Sequence, residues 1–239
     1  MPSARRVFEF GFPLMCFSPE VDFIASGVIG LIGVATLAHV QQPRAVLFAA
    51  TPIFFALHQF TEGFIWLGLE GQIRPEAQGH LVFLYMLYAQ GILPLLMPLA
   101  VLLMEPPGRR RWLIAGLTLL GAALAAFVFR GLIVYPSTAC IERHSIHYDN
   151  PGTALSGVAV LYVLATCGAL ILSSHRVVRW FGSLNFVGVI ATLIAKGYAF
   201  TSVWCLYAAI ASLILFWQFR ARRINVSEPN ASLVARATG

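Results

Sequence analysis

The sequence predicts an all-α fold, a polytopic membrane bundle of seven helices, and three observations lead to it. Of 239 residues, 59% are hydrophobic and only 11% charged, and the mean hydropathy is +0.79, far from the balance of a soluble domain. The apolar residues gather into seven runs, each near the roughly 20 residues that a helix needs to cross hydrocarbon. The basic residues fall between those runs and favour one side, as they do where positive charge sets membrane orientation.

Ahead of the first run, residues 1–14 form an extension. Arg5 and Arg6 precede an apolar patch there, but Glu9 interrupts it and no small-residue cleavage site follows, which argues against a signal peptide. The first run spans 21–40. The second, 45–69, holds Pro52, and the third, 79–104, holds Pro94 and Pro98; each proline removes a backbone donor and is expected to kink its helix. Gln90 stands one turn before Pro94, where such a kink opens space. Arg109, Arg110 and Arg111 act as an orientation anchor ahead of the fourth run, 112–135, which carries Arg130. A polar outer segment, 136–151, comes next. The remaining runs are 152–173, 177–195 and 200–219, the last two being the least well separated. The tail beyond is rich in Ser, Ala and Asn with little apolar bulk, the composition of a disordered segment. The chain therefore divides into the extension 1–14, a seven-helix transmembrane domain at 15–220 and a cytoplasmic tail at 221–239.

The formal net charge of +6 serves topology. Arg44, Arg109, Arg110, Arg111, Arg176, Arg179, Arg220, Arg222 and Arg223 fall on one side of a seven-span chain, against Arg5, Arg6, Arg74, Arg143 and Lys196 on the other. That asymmetry puts the N-terminus outside and the C-terminus in the cytoplasm. With the arginines at helix ends, nucleic acid is excluded as a partner and membrane lipid is expected.

Function is sought where ionisable groups enter the apolar runs, because hydrocarbon offers a charge no water and such a group needs a partner. In the second run His58, Glu62 and Trp66 are four residues apart and share one helix face. At about 1.5 Å per residue, Glu62 lies roughly 10 Å below the outer end of its helix, Tyr85 about 9 Å below its own, and Arg130 and Cys205 about 8 Å below theirs. One layer thus collects residues from four helices, and Glu62 with Arg130 is the expected ion pair. The expected ligand-binding set is His58, Glu62, Trp66, Tyr85, Gln90, Arg130, Trp204 and Cys205, with Glu62 the candidate catalytic acid or base.

A metal is the other expectation. His58 and Glu62 stand one turn apart and can reach one ion, but two ligands are too few for zinc. His144 and His147 of the outer segment, and Cys16, are the candidates to complete the set. Cys16 and Cys140 both fall outside, where a disulfide is permitted.

The segments Met15-Cys16-Phe17-Ser18, His58-Gln59 with Glu62-Gly63 and Trp66, the His-rich outer loop and Ser202-Val203-Trp204-Cys205 resemble a family of bacterial multi-span membrane proteins of unknown function. The resemblance runs from Met15 to about Trp217 and implies a multi-pass protein of the bacterial inner membrane whose members start at the equivalent of Met15. If Met15 were the start and were removed, Cys16 would present a free amine and thiol. A fainter likeness is to the alkaline ceramidase and adiponectin-receptor-like seven-span zinc hydrolases, which take histidine and carboxylate from early helices and a His-x-x-x-His from the last. The last helix here has no histidine, so that likeness requires His144 and His147 to substitute.

Three functional classes follow. The first is a membrane protein with a buried polar site in the outer half of the bundle for a small ligand, lipid headgroup or ion. The second is a zinc-dependent hydrolase of a lipid amide or ester, with Glu62 as general base. The third is a structural subunit of a membrane complex, its polar layer locking the helices together.

Overall fold

The computed structural model describes residues 18–142, 145–153, 156–194 and 200–222, the side chains of 156, 191–194 and 200–209 excepted. The fold is mostly helical, and helices fall on all seven apolar runs: α1 (Pro19–Leu37), α2 (Val46–Ala49) with α3 (Thr51–Leu69), α4 (Pro75–Met86) with α5 (Leu93–Met104), α6 (Arg109–Val134), α7 (Ser156–Val163) with α8 (Ala169–Leu172), α9 (Arg176–Ile194) and α10 (Phe200–Arg220). Among the described residues three stretches, Pro19–Leu37, Pro75–Met104 and Arg109–Val134, are long and apolar enough to cross a membrane.

The tightest pairing is α1 against α3. Pro19, Asp22, Ser26, Ile29, Gly33 and Thr36 are the buried residues of α1, alternating by three and four as one helix face does. Small residues on that face let the backbones close together: a Cβ at Gly33 would stand 2.6 Å from Ile53 Cγ1, and Ser26 Oγ donates to Ala56 O at 2.8 Å. The opposite face is apolar and bare, with Leu31 74% and Ile24 67% exposed.

Proline shapes the third run differently from a simple kink. Between α4 and α5 the helix widens into a π turn, Leu87–Ile92, in which Leu93 N–H reaches Tyr88 O, five residues back. The next donor in that register would be Pro94, which has none. Ala89 O, stranded by the proline, instead accepts from the Tyr162 hydroxyl of α7 at 2.9 Å. Pro98 in turn cannot donate to Pro94 O, and α6 closes on that carbonyl through Gly121, where a Cβ would lie 2.0 Å from the oxygen.

The outer segment departs from the all-α expectation. Thr138–Glu142 (β1) and Ser145–Asp149 (β2) form an antiparallel hairpin in which Cys140 faces His147. Strand alternation turns Ile146, 4% exposed, inward with Tyr148 and leaves His147 exposed on the other face. Asn150, buried at the foot of β2, donates to Tyr135 O and Ser137 Oγ, both at 3.0 Å, and accepts from Gly152 N–H at 2.8 Å. At the other end of the bundle, the buried Glu105 carboxylate accepts from Ser173 Oγ at 3.1 Å and Ser174 N–H at 3.0 Å. Arg111 Nη1 donates to Leu102 O and Glu105 O at 2.8 and 2.7 Å, so one of the three anchoring arginines caps the end of α5.

Gly121→Ala forces α5 and α6 apart and is expected to cost ~1–3 kcal/mol, lowering Tm by roughly 2–4 °C per kcal/mol for a chain of this size. Gly116→Ala on the same helix meets nothing within 4 Å and should leave Tm almost unchanged; thermal unfolding of the detergent-solubilised variants checks both.

Candidate functional site

The site is assembled where α1, α3, α4 and the hairpin converge. The phase of α3 that buries Phe55, Gln59, Glu62 and Trp66 brings a carboxylate and an amide into the packed face toward α1, whose own first turn supplies Asp22. Both acids are sealed from solvent, Asp22 at 0% and Glu62 at 1% exposure.

One amide serves both. Gln59 Nε2 carries two hydrogens; it donates to Asp22 Oδ1 and, at 3.4 Å, to Glu62 Oε2. The other Glu62 oxygen, Oε1, accepts from the Tyr85 hydroxyl at 3.0 Å and the Tyr148 hydroxyl at 3.3 Å. Tyr85 comes from α4 and Tyr148 from β2, so the Glu62 carboxyl ties together three elements distant in sequence. Burial, and then the neighbouring Tyr85 and Glu62, push the Tyr148 phenol well above its ordinary range, which keeps it a donor at every physiological pH.

The tyrosines also stack. His58 lies on Tyr85 with ring centroids 3.9 Å apart at 18°, and Tyr85 on Tyr148 at 4.3 Å and 18°. The three rings make a column from α3 through α4 to the hairpin. Tyr88, one turn beyond Tyr85 on the chain, leans on His58 at 4.8 Å and 40°.

Several polar atoms in this region are left over. Asp22 Oδ2, Trp66 Nε1, His58 Nδ1 and Tyr88 Oη are all buried without a hydrogen-bond partner. The Trp66 indole lies close enough to the Asp22 carboxyl to act on it electrostatically. Two sealed carboxyls, neutral donors around them and unspent hydrogen-bonding capacity form a site that, among the described residues, holds no positive charge.

His58, Glu62, Trp66 and Tyr85 lie together here, and Asp22, Gln59 and Tyr148 join them. The expected Glu62–Arg130 pair does not form. Val128, Gly131 and Leu132 turn inward on α6 while Arg130 is exposed, because equal depth in a layer leaves the direction around the helix axis unset. Gln90 is half-buried in the π turn and makes none of the site's hydrogen bonds. His147 points away from Glu62 on the outer face of the hairpin. His144, Cys16 and Met15 lie outside the described residues, as do the side chains of Trp204 and Cys205. Cys140 is exposed and its expected partner Cys16 is in that undescribed set. Among the described residues no group of three or more His, Cys, Asp or Glu is disposed to hold a metal; the zinc set imagined around His58 and Glu62 is not assembled by them.

A direct signal for Asp22 existed. It is an acid one turn inside an apolar helix, and the rule that selected Glu62 applies to it equally. Tyr148 was detectable through the period-two alternation of Ile146 and Tyr148, which marks an inward strand face.

No curated protein and no solved structure matches the chain. A family of unknown function, DUF6629, matches residues 15–230. The chain is a member of that family, DUF6629.

Proposed function

We propose that the chain is an integral membrane protein, crossing the bilayer seven times with its N-terminus outside and its C-terminus in the cytoplasm, and that the Asp22–Gln59–Glu62 cluster is a binding site for a small cation. The membrane reading is supported by three helices of spanning length and by outward faces that expose Leu31, Leu119 and Val160 at 74%, 73% and 69%, a distribution suited to acyl chains and costly in water. The arginine asymmetry supports the orientation.

The observation that carries the cation reading is the pairing of two sealed carboxyls with no basic partner among the described residues. An ionised carboxylate in such a place requires an opposite charge or a proton, and the surrounding tyrosine and glutamine groups offer only neutral hydrogen bonds. Oxygen ligands from Asp22 and Glu62, with the unspent Asp22 Oδ2, suit a hard cation or an ammonium group. The inner bacterial membrane is the location that goes with this reading, and the residues bind the ion without any bond being made or broken.

Membrane integration is checked by alkaline carbonate washing: the protein should stay with the pellet and leave it only in detergent, whereas release by carbonate would overturn the reading. Cation binding is checked by thermal unfolding of detergent-solubilised protein in sodium, potassium, magnesium, calcium or ammonium chloride against N-methylglucamine chloride at equal ionic strength. A cation at 100 times its Kd adds about 2.7 kcal/mol, a rise of roughly 5–10 °C at this size. Glu62→Gln and Asp22→Asn should each abolish that rise, and no rise in any of the salts would sink the proposal. Arg130→Gln, by contrast, should leave both stability and the cation response unchanged within about 0.5 kcal/mol, measured in the same unfolding series.

A further inference from the structure

Beside the carboxyl site, and separated from it by the Tyr85 ring, a cleft of about 120 Å³ runs between α3 and α4. Leu57 and Leu84 line it and are 58% and 56% exposed, so its mouth lies on the flank of the bundle, the surface that acyl chains cover in a bilayer. The remaining walls are largely rings: Phe54, His58, Tyr85 and Tyr88. Among the described residues no Lys, Arg, Asp or Glu lines it, and these walls give a phosphate or ammonium headgroup nothing to pair with.

The cleft is nonetheless not purely apolar. His58 lines it, and His58 Nδ1 is buried without a partner; the Tyr88 hydroxyl is in the same condition. Such atoms are expensive to leave unsatisfied where no water is at hand. We infer that this cleft takes the ring of a membrane-dissolved quinone or quinol, entering sideways from the lipid and bound through His58. The volume holds about four water molecules at ~30 Å³ each, on the scale of one six-membered ring with its carbonyl oxygens. Flat aromatic walls suit a flat ring, and an isoprenoid tail can leave between Leu57 and Leu84 into the acyl phase. The imidazole serves both redox forms of the ligand: with its proton on Nδ1 it donates to a quinone carbonyl, and in the other tautomer it accepts from a quinol hydroxyl.

The inference rests on the membrane reading above and is independent of the cation reading of the carboxyl pair. Isothermal titration of the full-length protein in detergent with decylubiquinone and with decylubiquinol tests it. Saturable binding of one ring per chain is expected. His58→Phe keeps an aromatic ring on Tyr85 but removes Nδ1, and should weaken binding about tenfold. Tyr88→Phe deletes a hydroxyl that bonds to nothing in the fold, so it should fold as the parent does and bind severalfold more weakly. Arg130→Gln, at an exposed position outside the cleft lining, should bind the quinone as the parent does, and quinone affinity should stay the same with or without the cations, which separates the two sites. Absence of saturable binding by folded protein would overturn the inference, as would parental affinity in both His58→Phe and Tyr88→Phe, or displacement of the quinone by an equal concentration of dioleoylphosphatidylglycerol.

Discussion

A single side-chain amide holds the centre of this molecule together. Gln59 gives one hydrogen to a carboxyl on α1 and the other to a carboxyl one turn along its own helix, and both acids are buried beyond the reach of solvent. Without that amide each carboxyl loses a donor, and a buried polar group stripped of a partner costs on the order of 1–3 kcal/mol, more if it is charged. The register of α1 against α3 is set by the same bond, because only one sliding position satisfies it together with the Gly33 contact on Ile53. Packing and polarity therefore select one arrangement of the two helices.

The aromatic column extends that constraint to the rest of the fold. Tyr85 and Tyr148 place both hydroxyls on one carboxylate oxygen while their rings stack on one another. The hairpin is thereby fastened to the helices by an apolar contact through Ile146 and a polar one through Tyr148, on alternate residues of one strand. This division of labour explains why the outer segment is folded at all: its inward face has a buried acid to satisfy. At the opposite end Glu105 plays a closed structural part, since its oxygens, unlike those of Asp22, all find donors on the α8–α9 connection.

Helix positions were legible in the sequence because hydrophobic run length is a one-dimensional signal, and all seven runs carry helices. The stripe of His58, Glu62 and Trp66 was legible for a similar reason: spacing by four residues fixes a face. Which face looks at which neighbour was not. Tyr85 and Arg130 stood at matching depths, and only the first turns toward Glu62; rotation about the helix axis depends on packing partners such as Gly121 and Pro94 that no run of hydropathy reveals. Asp22 escaped notice because it stands at the margin of its run, where an acid reads as a helix-start residue. The π turn was hidden for a further reason: two prolines four residues apart predict lost hydrogen bonds but not whether the chain bends or widens, and the Tyr162 hydroxyl that satisfies Ala89 O lies far along the sequence.

That hydroxyl has mechanical weight. A helix weakened by proline ordinarily flexes at the defect, since a carbonyl without a donor is indifferent to small changes of angle. Here the orphaned Ala89 oxygen is held from the side by α7, so the joint between α4 and α5 is pinned to a neighbouring element and its swing is not free. Any rearrangement that tilts α4, and with it Tyr85, must either carry α7 along or give up the Tyr162 bond, which makes the two helices move as one lever.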